Sequence, residues 1–205
     1  MKWLFIISNV FIFSFIMADE PPNYCNYEIF SQNKLYVAKI IGEKEDSQFK
    51  KITKFTIKVY SLKDDKLLWS TPFIHTGYPD AMISNDGKVV IDFLYFYGED
   101  GIQVYIYNEK GLAKTIYAKD LKISKVYLKK TESHYLWIAD SDCGIEFSEA
   151  INFVDGKDGS PTLSVIMRNG RALYVDLSTL SYYFKDSSKK ISCQKPEDKS
   201  IESIK

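Results

Sequence analysis

From Ala81 to Tyr117 apolar and polar positions alternate in short blocks. Ala81-Met82-Ile83 gives way to the polar run Ser84-Asn85-Asp86-Gly87-Lys88, and an apolar run then extends from Val89 to Tyr97. Gly98-Glu99-Asp100-Gly101 interrupts it, Ile102 to Tyr107 resumes it, and Asn108-Glu109-Lys110-Gly111 separates that run from Leu112 to Tyr117. β-Branched and aromatic residues fill the apolar runs, and Asn-Asp-Gly supplies the positive φ angles of a tight hairpin turn. The pattern predicts an antiparallel meander.

The same signals recur on both sides. Tyr27 to Phe30 and Leu35 to Ile41 flank Ser31-Gln32-Asn33-Lys34, and Phe55, Ile57 and Val59 alternate with Thr56, Lys58 and Tyr60. Period two is the mark of a half-buried strand. Lys63-Asp64-Asp65-Lys66 turns the chain and Leu67 to Ser70 returns it, while Pro72 points to an edge strand or a loop. Further on, Tyr135 to Ala139 reads as a strand. Glu149 to Val154, Thr162 to Met167 and Ala172 to Leu177 read as a last meander, turned at residues 155–159 and at Arg168-Asn169-Gly170-Arg171. Between 118 and 130 Asp120 can cap a short helix with Leu121, Val126, Tyr127 and Leu128 on its apolar side and Lys122, Lys125, Lys129 and Lys130 outward. An amphipathic strand over Ile123 to Leu128 is the alternative.

An internal repeat runs through the first half. Tyr27 to Ala38, a loop and Phe55 to Trp69 are matched by Asp80 to Ile91, a loop and Ile102 to Ile116, with Ser31 against Ser84, Lys34 against Lys88 and Tyr60 against Tyr107. Each copy is expected to be a four-stranded meander. The phrases Ser84-Asn85-Asp86-Gly87-Lys88-Val89-Val90 and Val104-Tyr105-Ile106-Tyr107-Asn108-Glu109-Lys110-Gly111 resemble blades of the WD-repeat and quinoprotein-type β-propellers, in the manner of small secreted bacterial proteins of that kind. No Trp-Asp pair ends a blade, since Ser70 follows Trp69. The resemblance implies blade-like units at about 27–70 and 80–117. It implies no activity. The expected fold is mainly β, with antiparallel meanders in an incomplete propeller-like or sandwich-like arrangement and one short helix. A single domain is expected over 19–184, with its final meander at 149–184.

The first residues are of a different composition. Lys2 precedes a run from Trp3 to Met17 whose polar members are Ser8, Asn9 and Ser14, and Ala18-Asp19-Glu20-Pro21-Pro22 closes it. This reads as an export signal over residues 1–18; an uncleaved anchor is the alternative, though the run falls short of the ~20 residues that span a bilayer. From Lys185 to Lys205 the chain has no aromatic residue and many charges, and is expected to be a disordered polar tail. Lys plus Arg and Asp plus Glu are 27 each, so no net field points to nucleic acid, and the membrane enters only through the signal if it is retained. Three cysteines in an oxidising compartment leave one odd thiol. All pairings are open; a Cys25–Cys193 bridge would staple the chain ends and leave Cys143 in its turn-like Asp140-Ser141-Asp142-Cys143-Gly144 run.

Candidate chemistry is sparse. Asp155 to Ser160 offers oxygens to calcium, but Lys157 occupies a ligand place and a hairpin turn explains the run; Asp140, Asp142 and Glu146 form either a carboxylate group or a solvated turn. His75 and His134 are the two histidines, and a hydrolase would have to bring one of them to nearby acids or to Ser31 or Ser84. Tyr95, Tyr97, Tyr105 and Tyr107 are concentrated enough to form an aromatic platform for sugar or protein, with ordinary sheet packing as the alternative. Asp92 inside the same run must be exposed or bonded. The expectation is an exported, non-catalytic binding or structural protein with a protein or carbohydrate partner and no cofactor. A secreted hydrolase-like enzyme using His75 or His134 is the rival.

Overall fold

The computed structural model describes residues 23–44, 52–78, 80–131, 134–156 and 159–193. The expected signal lies outside them. Within them the protein is mainly β, and its strands form three four-stranded antiparallel meanders, each in simple chain order. The first sheet holds β1 (Tyr27–Phe30), β2 (Tyr36–Lys44), β3 (Ile52–Ser61) and β4 (Lys66–Phe73). The second holds β5 (Ala81–Ile83), β6 (Val90–Phe93), β7 (Ile102–Asn108) and β8 (Gly111–Tyr117). A connecting segment carries a short ribbon of β9 (Lys129–Lys130) and β10 (Tyr135–Leu136). The third sheet holds β11 (Ile151–Asp155), β12 (Pro161–Ile166), β13 (Arg171–Asp176) and β14 (Tyr182–Asp186).

Two apolar clusters stack these sheets. Ala38, Ile40, Ile57 and Val59 of the first sheet meet Ile83, Val90 and Tyr107 of the second. On its other side the second sheet turns Ile91, Phe93, Val104 and Ile106 toward Leu163, Val165, Leu173 and Val175 of the third. β6 is therefore buried along its whole length, and its sequence reads as an apolar run interrupted by Asp92 instead of an alternation. The connecting segment fills the second interface with Leu121, Leu128 and Trp137; the Trp137 indole is wholly buried and its Nε1 donates to the Leu94 carbonyl at 2.8 Å.

The two copies of the repeat share one turn. In the first, Tyr36 N–H bonds the Ser31 hydroxyl and Leu35 N–H bonds the Asn33 side chain; in the second, Val89 N–H bonds the Ser84 hydroxyl and Lys88 N–H bonds Asp86. Lys34, at φ 56°, thus stands where Gly87 stands at φ 70°, and the sequence match of Lys34 with Lys88 is corrected by one residue. Tyr60 faces Val37 and Tyr107 faces Val90, so these two tyrosines do occupy one register position. The turns also touch: Asn33 N–H and Nδ2 donate to the Asn85 side chain and carbonyl at 3.0 and 2.7 Å.

Pro72 lies inside β4, an edge strand as its presence led us to expect. Several other expectations are revised. There are two four-residue helices, α1 (Ala118–Leu121) and α2 (Phe147–Ala150), where the pattern predicts one. In α1 Asp120 caps from within, its carboxylate accepting the Tyr117 N–H at 3.1 Å. A 3-10 turn over Lys125–Tyr127 follows, with Val126 and Tyr127 exposed and Leu128 buried.

The bridge joins Cys143 to Cys193, not Cys25 to Cys193, and Cys25 is a free thiol. The physical reason is that the chain after β14 folds back: Ser187 N–H bonds the Gly170 carbonyl, Ser192 N–H bonds that of Cys143, and Ile191 packs on the larger core cluster. Residues 185–193 of the expected tail are thus docked, and its remainder lies outside the described residues. A disulfide fits an oxidising compartment. No helix among the described residues is long and apolar enough to cross a membrane.

Candidate functional site

The tyrosines predicted to form a platform are divided between the two faces of the middle sheet. The expected hairpin would have set Tyr95 to Tyr97 against Tyr105 and Tyr107. The register instead puts Asp92 opposite Tyr105 and Val90 opposite Tyr107. After Leu94 the chain leaves β7 for the ribbon, where Tyr97 N–H bonds the Tyr135 carbonyl and Phe96 bridges Leu136. Tyr105 and Tyr107 stack at 6.4 Å against the first sheet, with Tyr107 buried. Tyr95 packs on the opposite cluster, edge-on to Phe147 at 4.7 Å, and Tyr97 packs on that cluster too.

The histidines are held by packing contacts. His75 sits among the rings of Tyr24, Tyr27, Phe55 and Phe73, with the Phe55 centroid 4.4 Å away. Its Nδ1 accepts the Gly77 N–H at 2.9 Å, so Nε2 carries the hydrogen and donates to the Cys25 carbonyl at 3.2 Å. Burial holds this imidazole below its ordinary pKa, against the opposing pull of the Cys25 carbonyl. His134 stacks on Phe96 at 4.0 Å.

The acids at 140 and 142 have cationic partners. Arg168 is almost wholly buried; its two terminal nitrogens donate to Asp140 at 2.6 Å and Asp142 at 3.0 Å, and its Nε donates to the Tyr127 carbonyl. Lys129 Nζ bonds the same two carboxylates at 3.0 and 2.7 Å. Burial pushes both carboxyls up. For Asp142 the hydrogen bonds with Asp140, Lys129 and Arg168 outweigh burial and hold it well below the usual range, while Asp140 stays above its ordinary value. These carboxylates are a counter-ion clamp beside the disulfide. Sequence reading missed it because Arg168 sits in a turn that looks solvated. No group of three or more His, Cys, Asp or Glu among the described residues is placed to hold a metal. In the other acidic turn, Gly156 N–H bonds the Ser160 carbonyl at 2.7 Å, and Lys157 and Asp158 lie outside the described residues.

Two concavities among the described residues are roomy enough to hold a ligand. The larger, about 540 Å³, lies over the turn end of the middle sheet. Trp69 of β4, whose Nε1 donates to the Gly87 carbonyl at 2.7 Å, lines it together with Pro161 of β12 and Leu177 just after β13. Asp86 and Lys88 reach it from the β5–β6 turn, Asn108, Glu109 and Lys110 from the β7–β8 turn, and Ser178 from the β13–β14 turn. Apolar side chains and charges of both signs thus line one concavity, brought together from all three meanders. The smaller, about 360 Å³, opens beside β5 and the start of β11. Set beside known proteins, the chain matches no family model, and no curated protein sequence matches it.

Proposed function

We propose that this protein is exported and acts as a non-catalytic binding module, taking a segment of a partner protein into the groove at Trp69. The three meanders support a blade-like reading, in which turn loops of successive units converge on one face and supply a composite surface. The observation that carries the proposal is the groove itself, whose lining joins the apolar Trp69, Val89, Pro161 and Leu177 to the charged Asp86, Lys88, Glu109 and Lys110. Protein-recognition surfaces combine apolar and charged groups, and charges of both signs suit a chain carrying both. The commitment of both His75 nitrogens to backbone groups favours binding over catalysis, because that ring has no lone pair left to act as a base. Export is supported by the Cys143–Cys193 bridge and by the apolar run after Lys2.

The test is capture of proteins from the extracellular fraction by the mature chain, compared with a Glu109→Lys/Lys110→Glu swap on an exposed turn. The swap keeps net charge and is expected to leave stability unchanged while weakening capture at least about tenfold, a change of about 1.4 kcal/mol. Capture indifferent to the swap would remove the groove from the account. Capture of glycans in place of proteins would move the proposal to a carbohydrate partner.

A further inference from the structure

The smaller cleft has a composition unlike that of the groove. Met82, Phe93, Tyr95, Phe147 and Ile151 make it apolar, and one carboxylate, that of Asp80, opens into it. The Tyr95 hydroxyl lies near that carboxylate and draws its pKa down against burial, and no basic side chain among the described residues forms an ion pair with it. Behind this wall lies Asp92. It pairs with the cleft-lining Ala81 across β5 and β6, on the same face of the sheet; it has no solvent exposure, and neither of its carboxylate oxygens has a hydrogen-bond partner. The Tyr27 hydroxyl is likewise buried without a partner.

Buried acceptors of this kind are costly unless something donates to them. Burial, followed by the charge of Asp80, pushes Asp92 well above the usual carboxylate range; burial also pushes Asp80 up, to about 6, against the opposing effect of the Tyr95 hydroxyl. Asp80 is the one carboxylate that lines the cleft. A single cation matches it, and the apolar walls ask that the cation be attached to an apolar body.

We infer that the cleft beside β5 binds a small primary amine, with its ammonium on Asp80 and its apolar body against Met82, Phe93 and Phe147. The volume falls in the range of small-molecule pockets. Three N–H donors of an ammonium reach Asp80, the Tyr95 hydroxyl oxygen and a rim oxygen of Ser148 or Gln32. This site is separate from the groove at Trp69 and stands whether or not that groove binds protein.

Benzylamine and benzyl alcohol are the probes, titrated calorimetrically into the mature full chain at pH 7.5. The amine is expected to bind at least about tenfold more tightly than the alcohol, since hydrogen bonds to a charged group outweigh neutral ones. Asp80→Asn is expected to abolish that preference, and Asp64→Asn, on the exposed β3–β4 turn, to leave it intact. Nα-acetyl-lysine methylamide, which carries the same ammonium on a peptide, is expected to bind more weakly than benzylamine. Equal binding of amine and alcohol to the wild-type chain would overturn the inference without reference to any variant. Displacement of the amine by millimolar calcium or magnesium would overturn it in favour of a metal site, and tighter binding of the lysine derivative would overturn the small-molecule assignment.

Discussion

Replacing Gly87 by valine tests the joint between the first two sheets. Gly87 has a φ of 70°, in the left-handed region, and an added Cβ would lie 2.5 Å from Tyr36 Cδ1 and 2.9 Å from its Cγ. Holding a β-branched residue at that φ costs about 1–3 kcal/mol. Displacing the Tyr36 ring, which packs on the cluster between the sheets, adds an overpacking cost of about 1–3 kcal/mol. The Gly87 carbonyl also holds the Trp69 indole, so a shifted turn loosens β4 as well. Gly111→Val provides the comparison. Its φ of 113° is strained for any side chain, but the nearest atom to an added Cβ is Thr71 Oγ1 at 3.4 Å, an ordinary contact. Gly87→Val is therefore expected to lose about 2–6 kcal/mol and Gly111→Val about 1–3 kcal/mol. Urea titrations of the mature variants, compared at equal m-value, measure both losses. A Tyr36→Ala background separates the parts: there the additional loss from Gly87→Val should fall to its conformational share. Equal midpoints for wild type and Gly87→Val, or a loss untouched by Tyr36→Ala, would refute the reasoning.

Three further outcomes follow from the packing. Cys143→Ser/Cys193→Ser opens a loop with a sequence separation of 50 and is expected to cost about 4 kcal/mol on the chain-entropy relation, whereas Cys25→Ser should leave the urea midpoint unchanged. Arg168→Ala leaves Asp140 and Asp142 beside an empty buried position and should cost about 3–5 kcal/mol in the same titration, a loss that Arg168→Met recovers in part. The folded pKa of Asp92 lies above its unfolded value, so its contribution is greatest below the unfolded value, near 4, and declines as pH rises toward the folded one. Asp92→Asn should accordingly gain on the wild type between pH 5 and pH 8, and a difference independent of pH would show that Asp92 is not buried as a neutral acid.

The meanders were legible because their signals are local. Alternation marks β3, Asn-Asp-Gly and Asn-Gly mark two hairpins, and the shared Ser-x-Asx turn gives the repeat away. β14 was hidden because Tyr182-Tyr183-Phe184 runs straight into the polar Lys185-Asp186-Ser187-Ser188, whose composition resembles a tail. The end of β6 was hidden because the apolar run continues to Tyr97, while pairing passes from β7 to the ribbon after Leu94. That exchange sends Tyr95 and Tyr105 to opposite faces. The Arg168 clamp and the Cys143–Cys193 bridge depend on contacts between distant segments, which no local pattern encodes. Both concavities are likewise products of tertiary packing: Trp69, Lys110 and Leu177 come from three different meanders, the last two from their turns. The unusual burial of Asp92 could have been suspected from a lone acid in the most apolar run of the chain.

Amide hydrogen exchange of the mature chain, with and without its captured protein partner, addresses the proposed recognition surface most directly. Protection is expected at residues 86–88, 108–110 and 177–178, the three turns that enclose the groove, with the edge strands β1 and β14 unchanged. Protection confined to those edge strands, with the three turns exchanging as in the free protein, would contradict the account.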